Sequence, residues 1–266
     1  MRNSALKFSL ILFLVACCGE KPTKYLAKGE ISLAPPRTQF NNRLIDSFVM
    51  LQADLHLKNV SIHYTSDGQS PTRSSLIYNE PIKVIKPSVY KFRAFHSDWK
   101  PSEITTVEFY KKGHIPSEII WNSKENAHYK GQGKETLING KKASIDFRDP
   151  QWVGFDSIVS VNVIFDKLTM IKSIDIGYLK DQQSWIFPPK DIELIVQTPK
   201  NTFEKLQFKG EVLKEMEERA MKNLNVDINK EVKSIQFTIQ NVQALPEWHE
   251  GKGNKAWLFM DELIFN

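Results

Sequence analysis

The run VSIHYTSDG, which spans residues 60–68, shows how this chain folds. Apolar and polar side chains alternate along VSIHYT, a pattern typical of a β-strand with one face in a core and the other in water. The Asp-Gly pair that follows is a tight-turn signal, because glycine adopts the positive φ that a two-residue hairpin needs. The run therefore predicts antiparallel β structure with Val60, Ile62 and Tyr64 facing inward.

Similar runs extend on both sides of this strand. PIKVIK, SVYKFRAFH and EITTVEFY alternate in the same way, and turn residues that include proline separate them. No stretch in this part has a convincing helical period. We therefore predict an N-terminal immunoglobulin-like β-sandwich over residues 31–112, followed by a boundary at the Gly- and Pro-containing run KKGHIPSE (residues 111–118).

Residues 118–266 are again rich in strand signals, among them SIVSVNVIFD, TMIKSIDIGYL, IELIVQT, VKSIQFTIQNV and AWLFMDELIF. They predict a second all-β unit. One segment differs, because in EVLKEMEERAMKNL (residues 211–224) apolar side chains recur near helical spacing with charges between them. It is either a short amphipathic helix or a charged excursion between two strands. We expect an ordered excursion with about two helical turns.

The first residues have the features of an export signal. A basic region precedes an apolar run (residues 8–15) that is too short to cross a bilayer. The run LVAC, which ends at Cys17, matches the bacterial lipobox; an ordinary secretory signal with a chance cysteine is the alternative. We therefore expect a signal peptide over residues 1–16, lipidation of Cys17 and a polar tether over residues 17–30.

Both cysteines of the chain lie at this lipobox, so the mature fold has no internal disulfide to rely on. More than one acyl chain gives stable membrane anchoring, which is what a lipidated cysteine of this type carries. Cys18 follows the acceptor, where an inner-membrane retention signal would have Asp. We therefore expect the protein in the bacterial cell envelope, anchored in the outer membrane.

Composition and charge exclude other classes of function. Hydrophobic residues make up 41% of the chain and aromatic residues 11%, enough for folded cores. The formal charge is +5 and falls by two, to +3, when the two cations of the signal are removed. Lysine and glutamate are interspersed without a long basic run, which argues against a nucleic-acid partner.

The first unit resembles a known accessory domain. Residues 62–104 are similar to the chitobiase/β-hexosaminidase C-terminal domain, which is immunoglobulin-like and has no catalytic residues. The residues that carry the resemblance are Tyr64, Thr65, Asp67, Gly68, Pro71, Thr72, Ser75, Tyr78, Pro81, Ile82, Lys91, Ala94 and Ser102.

The second unit resembles a galactose-binding-like (discoidin, factor 5/8 type C) jelly roll, in the version found at the C-terminus of family 20 β-hexosaminidases. Three motifs carry the resemblance: LINGKKASIDFRDPQWVGFD (137–156), IGYLKDQQSWIFPPKDIEL (176–194) and LPEWHEGKGNKAWLFMDELIF (245–265). Asn139 departs from the family, which usually has Asp there. The resemblance implies a jelly roll over residues 118–266.

The resemblance does not imply catalysis. Those hexosaminidases carry a catalytic (β/α)8 barrel of ~250 residues, for which two accessory units leave no room. Asp261-Glu262 imitates the catalytic dipeptide of the family but lies in WLFMDELIF, a predicted final strand. Since adjacent strand residues point to opposite faces, the two carboxylates should not converge on one glycosidic bond unless the strand ends or bulges there. We predict a protein that is not an enzyme.

Metal sites are weakly supported by the residues. Glu247, His249 and Glu250 suggest zinc, but the six histidines are scattered without an HxH or HExxH pattern. The resemblance implies a structural Ca²⁺ between an early loop and the final strand, with Asn139 and Glu262 as side-chain ligands. Asn139 is neutral, which weakens such a site. We expect no required cofactor, with structural calcium as the open alternative.

Sugar binding is the remaining chemistry. Trp152, Trp185 and Trp248 lie in predicted loops, and His249 adjoins the last of them. Indole rings stack on the C–H faces of sugars, while polar neighbours bind the hydroxyls. The alternative is that these tryptophans are structural. We predict a non-catalytic protein that binds or positions GlcNAc- or Gal-type glycans, and its rival role is docking onto a separate glycosidase.

Overall fold

The computed structural model describes residues 30–215 and 217–266, which form two β-sandwiches in succession. The all-β prediction is confirmed. The predicted signal peptide, Cys17 and nearly all of the tether lie outside the described residues. Within those residues, no helix has the length and apolar character needed to cross a membrane.

The first sandwich packs a three-stranded sheet (β1-β3-β6) on a five-stranded sheet (β2-β8-β7-β4-β5). Apolar side chains of both sheets, including Leu51, Phe92 and Phe109, form one buried cluster. The strands are β1 (Arg37–Gln39), β2 (Leu44–Ile45), β3 (Val49–Asp54), β4 (Ser61–Thr65), β5 (Leu76–Ile77), β6 (Ile82–Val84), β7 (Ser88–Phe95) and β8 (Thr105–Lys111).

Strand β4 is covered on both faces, although its sequence predicts only one buried face. Ile62 and Tyr64 pack against the core as expected. On the other face His63 is only 5% exposed. Its Nδ1 lies 3.0 Å from the carbonyl oxygen of Ser75, and its ring meets Phe95 edge-on at 5.0 Å. The residues around β5 therefore shield this polar face from water.

The second sandwich is built around two very long antiparallel strands, β11 and β14, which pair with each other in a seven-stranded sheet. The strand order is β10-β15-β11-β14-β12-β13, and β9 also pairs with β11. Its strands are β9 (Glu118–Trp121), β10 (Val153–Phe155), β11 (Val159–Lys180), β12 (Asp191–Gln197), β13 (Phe203–Lys209), β14 (Ala220–Gln240) and β15 (Leu258–Phe265), with short 3-10 helices at Thr136–Ile138 and Gln182–Ser184.

The long strands β11 and β14 take part in both layers of the second sandwich. The first half of β11 pairs with β9 and the second half with β15, and the register against β14 shifts between these halves. Such irregularities bend strands. Phe265 on β15 contacts both Phe165 and Phe237, at ring distances of 5.3 and 6.2 Å, so the two layers close over a shared apolar core.

The segment before β14 corrects the helical expectation for residues 211–224. Its described residues up to Arg219 form no helix, and β14 begins at Ala220. The side-chain amide of Gln182 donates to the carbonyl of Lys214 at 2.7 Å and accepts from the backbone N–H of Glu217 at 3.0 Å. These tertiary hydrogen bonds replace the intrahelical ones, so the described residues of the segment form an ordered excursion without helical turns.

The two sandwiches touch near residues 139–143. Asn42 donates through its amide to the carbonyl oxygen of Gly140 at 2.8 Å. The Lys142 ammonium lies 5.6 Å from the centre of the Tyr110 ring in the first sandwich. The loop that carries Lys142 is therefore held from both sides.

Candidate functional site

Four connecting segments of the second sandwich line a cleft of about 920 Å³, which we call the Trp248 cleft. They are the loop before β10 that carries Ile145, residues 181–187 after β11, residues 217–219 before β14 and residues 245–252 between β14 and β15. The cleft is lined by Ile145, Asp181, Gln182, Gln183, Glu217, Glu218, Arg219, Trp248, His249 and Glu250.

His249 holds two of these segments together. Its Nε2 lies 2.9 Å from the carbonyl oxygen of Gln182, and its Nδ1 accepts the backbone N–H of Gly251 at 3.0 Å. The carbonyl can only accept and the N–H can only donate, so the two contacts together fit the tautomer that carries its proton on Nε2. Both nitrogens are occupied, which corrects the prediction that His249 bonds a ligand: it positions the loop.

Trp185 packs against the loop at residues 245–252. It ends a 3-10 helix with φ of 63°, a left-handed conformation that few non-glycine residues adopt. Its indole packs on Gly251, where an added Cβ would lie 2.6 Å from the ring. A side chain at position 251 would therefore displace Trp185, and the glycine lets the backbone approach the indole closely.

Trp248 is the aromatic residue that reaches the cleft. Its indole is partly exposed, and it is supported from behind by Phe187 at a ring distance of 6.2 Å and by His249 at 5.8 Å. Packing on these rings restricts the indole, so it offers an apolar surface at low entropic cost. Trp185 and Trp248 both pack against the ring of His249, at ring distances of 6.1 and 5.8 Å.

Trp152 lies elsewhere. Its indole is 1% exposed, in a cluster with Leu179 and Phe259, and its Nε1 donates to the carbonyl oxygen of Ser144 at 2.8 Å. No face of the ring is available to a sugar. The prediction that Trp152 contacts a ligand is wrong, because the Pro-Gln-Trp turn folds inward onto the closing strand.

Several cleft residues were not anticipated from the sequence. Asp181 forms an ion pair with Arg219 at 2.8 Å and accepts from the Ser184 hydroxyl at 2.9 Å. Gln183 and Glu218 are exposed and form no hydrogen bond with the described residues. Local sequence does not indicate that Glu218 and Arg219 belong to the cleft, because residues 217–219 reach it through tertiary contacts.

The residues predicted to bind calcium form hydrogen bonds within the protein instead. The amide of Asn139 pairs with that of Gln151 through two hydrogen bonds of 3.0 and 3.2 Å. The Lys142 ammonium lies 2.6 Å from a carboxylate oxygen of Asp261, so a cation is already supplied by the chain. The described residues hold no cluster of three or more His, Cys, Asp or Glu suited to a metal. This donor set does not fit the predicted calcium site.

A β-bulge changes the geometry of the Asp261-Glu262 pair. The register between β11 and β15 shifts at Gly177, which alone lies opposite both acidic residues. Asp261 accepts the N–H of Ala143 at 3.0 Å, and Glu262 accepts that of Gly140 at 3.0 Å. Both carboxylates therefore reach one loop, which corrects the expectation that they lie on opposite faces. Both are buried and bonded within the protein rather than presented to a substrate.

Burial also changes the pKa of Glu262. Glu262 is 4% exposed, and burial raises the pKa of its carboxyl to about 8. The Gly140 N–H opposes the rise, the Asp261 carboxylate adds to it, and the Lys142 ammonium opposes it. The cavity that Glu262 lines has a volume of only about 20 Å³, which is too small for a sugar. This carboxyl therefore serves the fold.

Part of this chain matches a known protein family, and several solved structures are similar to it. Residues 48–106 match the family described as "Chitobiase/beta-hexosaminidase C-terminal domain". A search of curated proteins finds no match. Similar solved structures include a CBM32 module of Clostridium perfringens in complex with GlcNAc-alpha-1,4-galactose. It is 10% identical, covers 57% of this chain and 90% of its own, and has a TM-score of 0.36.

Two further structures are of the same kind. CBM32-1 from a family 31 glycoside hydrolase of Clostridium perfringens is 17% identical, with coverage of 56% and 94% and a TM-score of 0.31. A pectin binding carbohydrate binding module is 11% identical, with coverage of 57% and 90% and a TM-score of 0.33. Residues 48–106 thus match the chitobiase/β-hexosaminidase C-terminal domain, and the described residues also form a larger β-sandwich after it.

Proposed function

We propose that this protein is a non-catalytic, lipid-anchored protein of the bacterial cell envelope that binds carbohydrate in the Trp248 cleft. The observation that carries the proposal is the partly exposed indole of Trp248 in a cleft of about 920 Å³, backed by Phe187 and His249. The volume lies in the range of small-molecule sites, about 300–1,000 Å³. GlcNAc- or Gal-type units are the expected ligands.

The chemistry of the cleft suits a sugar. A pyranose ring offers C–H groups that pack on an indole face, and its hydroxyls need donors and acceptors around the rim. Gln183, Glu218 and Glu250 are exposed at that rim and supply both kinds of group. The loops that carry them are cross-linked by His249 and Gln182, so little ordering is required when a ligand binds.

Trp248→Ala tests this site. We expect it to weaken glycan binding by at least about tenfold, because truncation of a central aromatic anchor commonly costs more than ~1 kcal/mol. The measurement is a glycan array on residues 18–266, followed by calorimetry with the best ligand.

The matched control is Trp99→Ala, in the first sandwich, where Trp99 stacks on His96 at 4.3 Å. It should leave glycan affinity within twofold. Unchanged binding in Trp248→Ala would place the sugar elsewhere. A wild-type protein that binds no glycan but captures a separate glycosidase would replace the proposal with the docking role.

The lipid anchor is tested at Cys17. The lipobox sequence supports lipidation at this residue, and we expect Cys17→Ser to move the full-length protein from the membrane fraction to the soluble fraction of bacteria that express it. Metabolic labelling with a fatty acid should mark the wild-type protein only. Cys18→Ser is the control and should stay membrane-bound; loss of label in this control instead would reassign the acceptor.

A further inference from the structure

We propose that the Trp248 cleft prefers amino sugars with a free, protonated amino group over their N-acetylated forms. The inference rests on the proposed function and names the ligand class of the same site. It follows from the charges around the cleft, most of which cancel in pairs while two carboxylates are left over.

The paired charges lie in the cleft lining and near it in the chain. Arg219 binds Asp181 at 2.8 Å. Lys180, which is 3% exposed, binds Glu217 at 2.9 Å and Glu211 at 3.5 Å. Lys222 forms a further ion pair with Glu211. These three cations therefore balance three acidic side chains, and they leave no net charge for an anionic ligand to meet.

The unpaired charges lie at the rim. Glu218 and Glu250 are exposed and line the cleft, and neither forms an ion pair with any described residue. The Trp185 indole N–H approaches Glu250 only at 3.5 Å, which leaves carboxylate oxygens free. Both ring nitrogens of His249 are bonded to backbone groups, so this side chain pairs with neither carboxylate. The cleft therefore carries a residual charge of about two negative units beside an aromatic platform.

This combination selects among sugars. An ammonium group on a sugar stacked at Trp248 gains charge-assisted hydrogen bonds to the rim carboxylates. Acetylation removes the positive charge and leaves a single neutral amide N–H, which donates one weaker hydrogen bond in place of the charge-assisted ones. Uronic acids are disfavoured, because their carboxylates meet like charges. Among the GlcNAc- or Gal-type glycans of the proposed function, we therefore expect those with de-N-acetylated hexosamine units to bind most tightly.

The experiment compares two tetramers that differ only in acetylation, the glucosamine tetramer and the N-acetylglucosamine tetramer, by calorimetry at pH 6 with residues 18–266. We expect the glucosamine tetramer to bind about five- to tenfold more tightly, which corresponds to about 1–1.4 kcal/mol shared between two exposed charge contacts. The preference should shrink as salt is raised, because screening weakens exposed charge pairs.

Variants locate the preference. The double variant Glu218→Gln/Glu250→Gln should lose most of the additional affinity for the glucosamine tetramer. The matched control is Glu247→Gln, an exposed acid on the same loop that is paired with Lys252 and lies outside the cleft lining; it should keep the preference.

The outcomes separate the two proposals. Equal binding of both tetramers, tighter binding of the acetylated one, or a preference that survives the double variant would overturn this inference and leave sugar binding in place. Binding of neither tetramer, nor of any other glycan, would overturn the proposed function as well.

Discussion

Lys142→Met should lower the free energy of unfolding of the second sandwich by about 3–5 kcal/mol, the usual cost of removing one partner of a buried ion pair. The Lys142 side chain is 2% exposed, and its ammonium lies 2.6 Å from Asp261, whose side chain is fully buried. The ammonium also donates to Asn223 at 3.0 Å. Without it, a carboxylate would be left in the interior without a cation.

The measurement is urea denaturation followed by tryptophan fluorescence, with the transition of the second sandwich fitted separately. Lys141→Met is the matched control: Lys141 is the exposed neighbour, and its replacement should change stability by no more than about 0.5 kcal/mol. Lys142→Met/Asp261→Asn should recover part of the loss, since it removes the unpaired charge. A loss below about 1 kcal/mol in the single variant would contradict a stabilising role for this pair.

Stability should also fall as pH rises from about 5 to 8, and Glu262→Gln should remove most of this dependence. The folded-state pKa of Glu262 is about 8, above its ordinary value of 4.5. Between these values the folded state binds more protons than the unfolded state, so each pH unit costs up to about 1.4 kcal/mol from this group. Its contribution is fully present below the ordinary pKa and lost once pH passes the folded pKa.

Glutamine resembles the protonated acid in size and keeps an oxygen that can accept the Gly140 N–H. Unfolding free energies measured by urea titration at pH 5, 6, 7 and 8, with a chelator present, should therefore converge between the variant and wild type only at low pH. Glu247→Gln, an exposed acid, is the control and should retain the wild-type slope. Parallel curves for wild type and Glu262→Gln would show that this carboxyl is ionised in the fold.

The fold class could be predicted because it depends on local patterns. Alternation in runs such as VSIHYT and the turn residues between them require only that each strand bury one face. The same reasoning mistook His63 for an exposed residue, because the pattern of one strand does not show what covers its second face. It also expected helical turns in residues 211–224, where hydrogen bonds from Gln182 decide the conformation.

The candidate site could be predicted only in part. Trp248 lies in a loop rich in glycine, and its side chain lines a cleft. Trp152 has the same kind of sequence context but is buried against Leu179. Local composition does not distinguish the two, since the direction of a side chain that leaves a loop depends on the elements packed around it.

The sequence by itself determined that this chain forms two β-sandwiches, since alternation and turn residues are properties of neighbouring positions. Only the tertiary structure decided where the acidic residues act. The bulge opposite Gly177 turns both Asp261 and Glu262 toward the loop at residues 140–143, where Lys142 and backbone N–H groups satisfy them. The physical reason is that burial and charge pairing depend on residues more than a hundred positions apart in the chain, which a local pattern does not bring together.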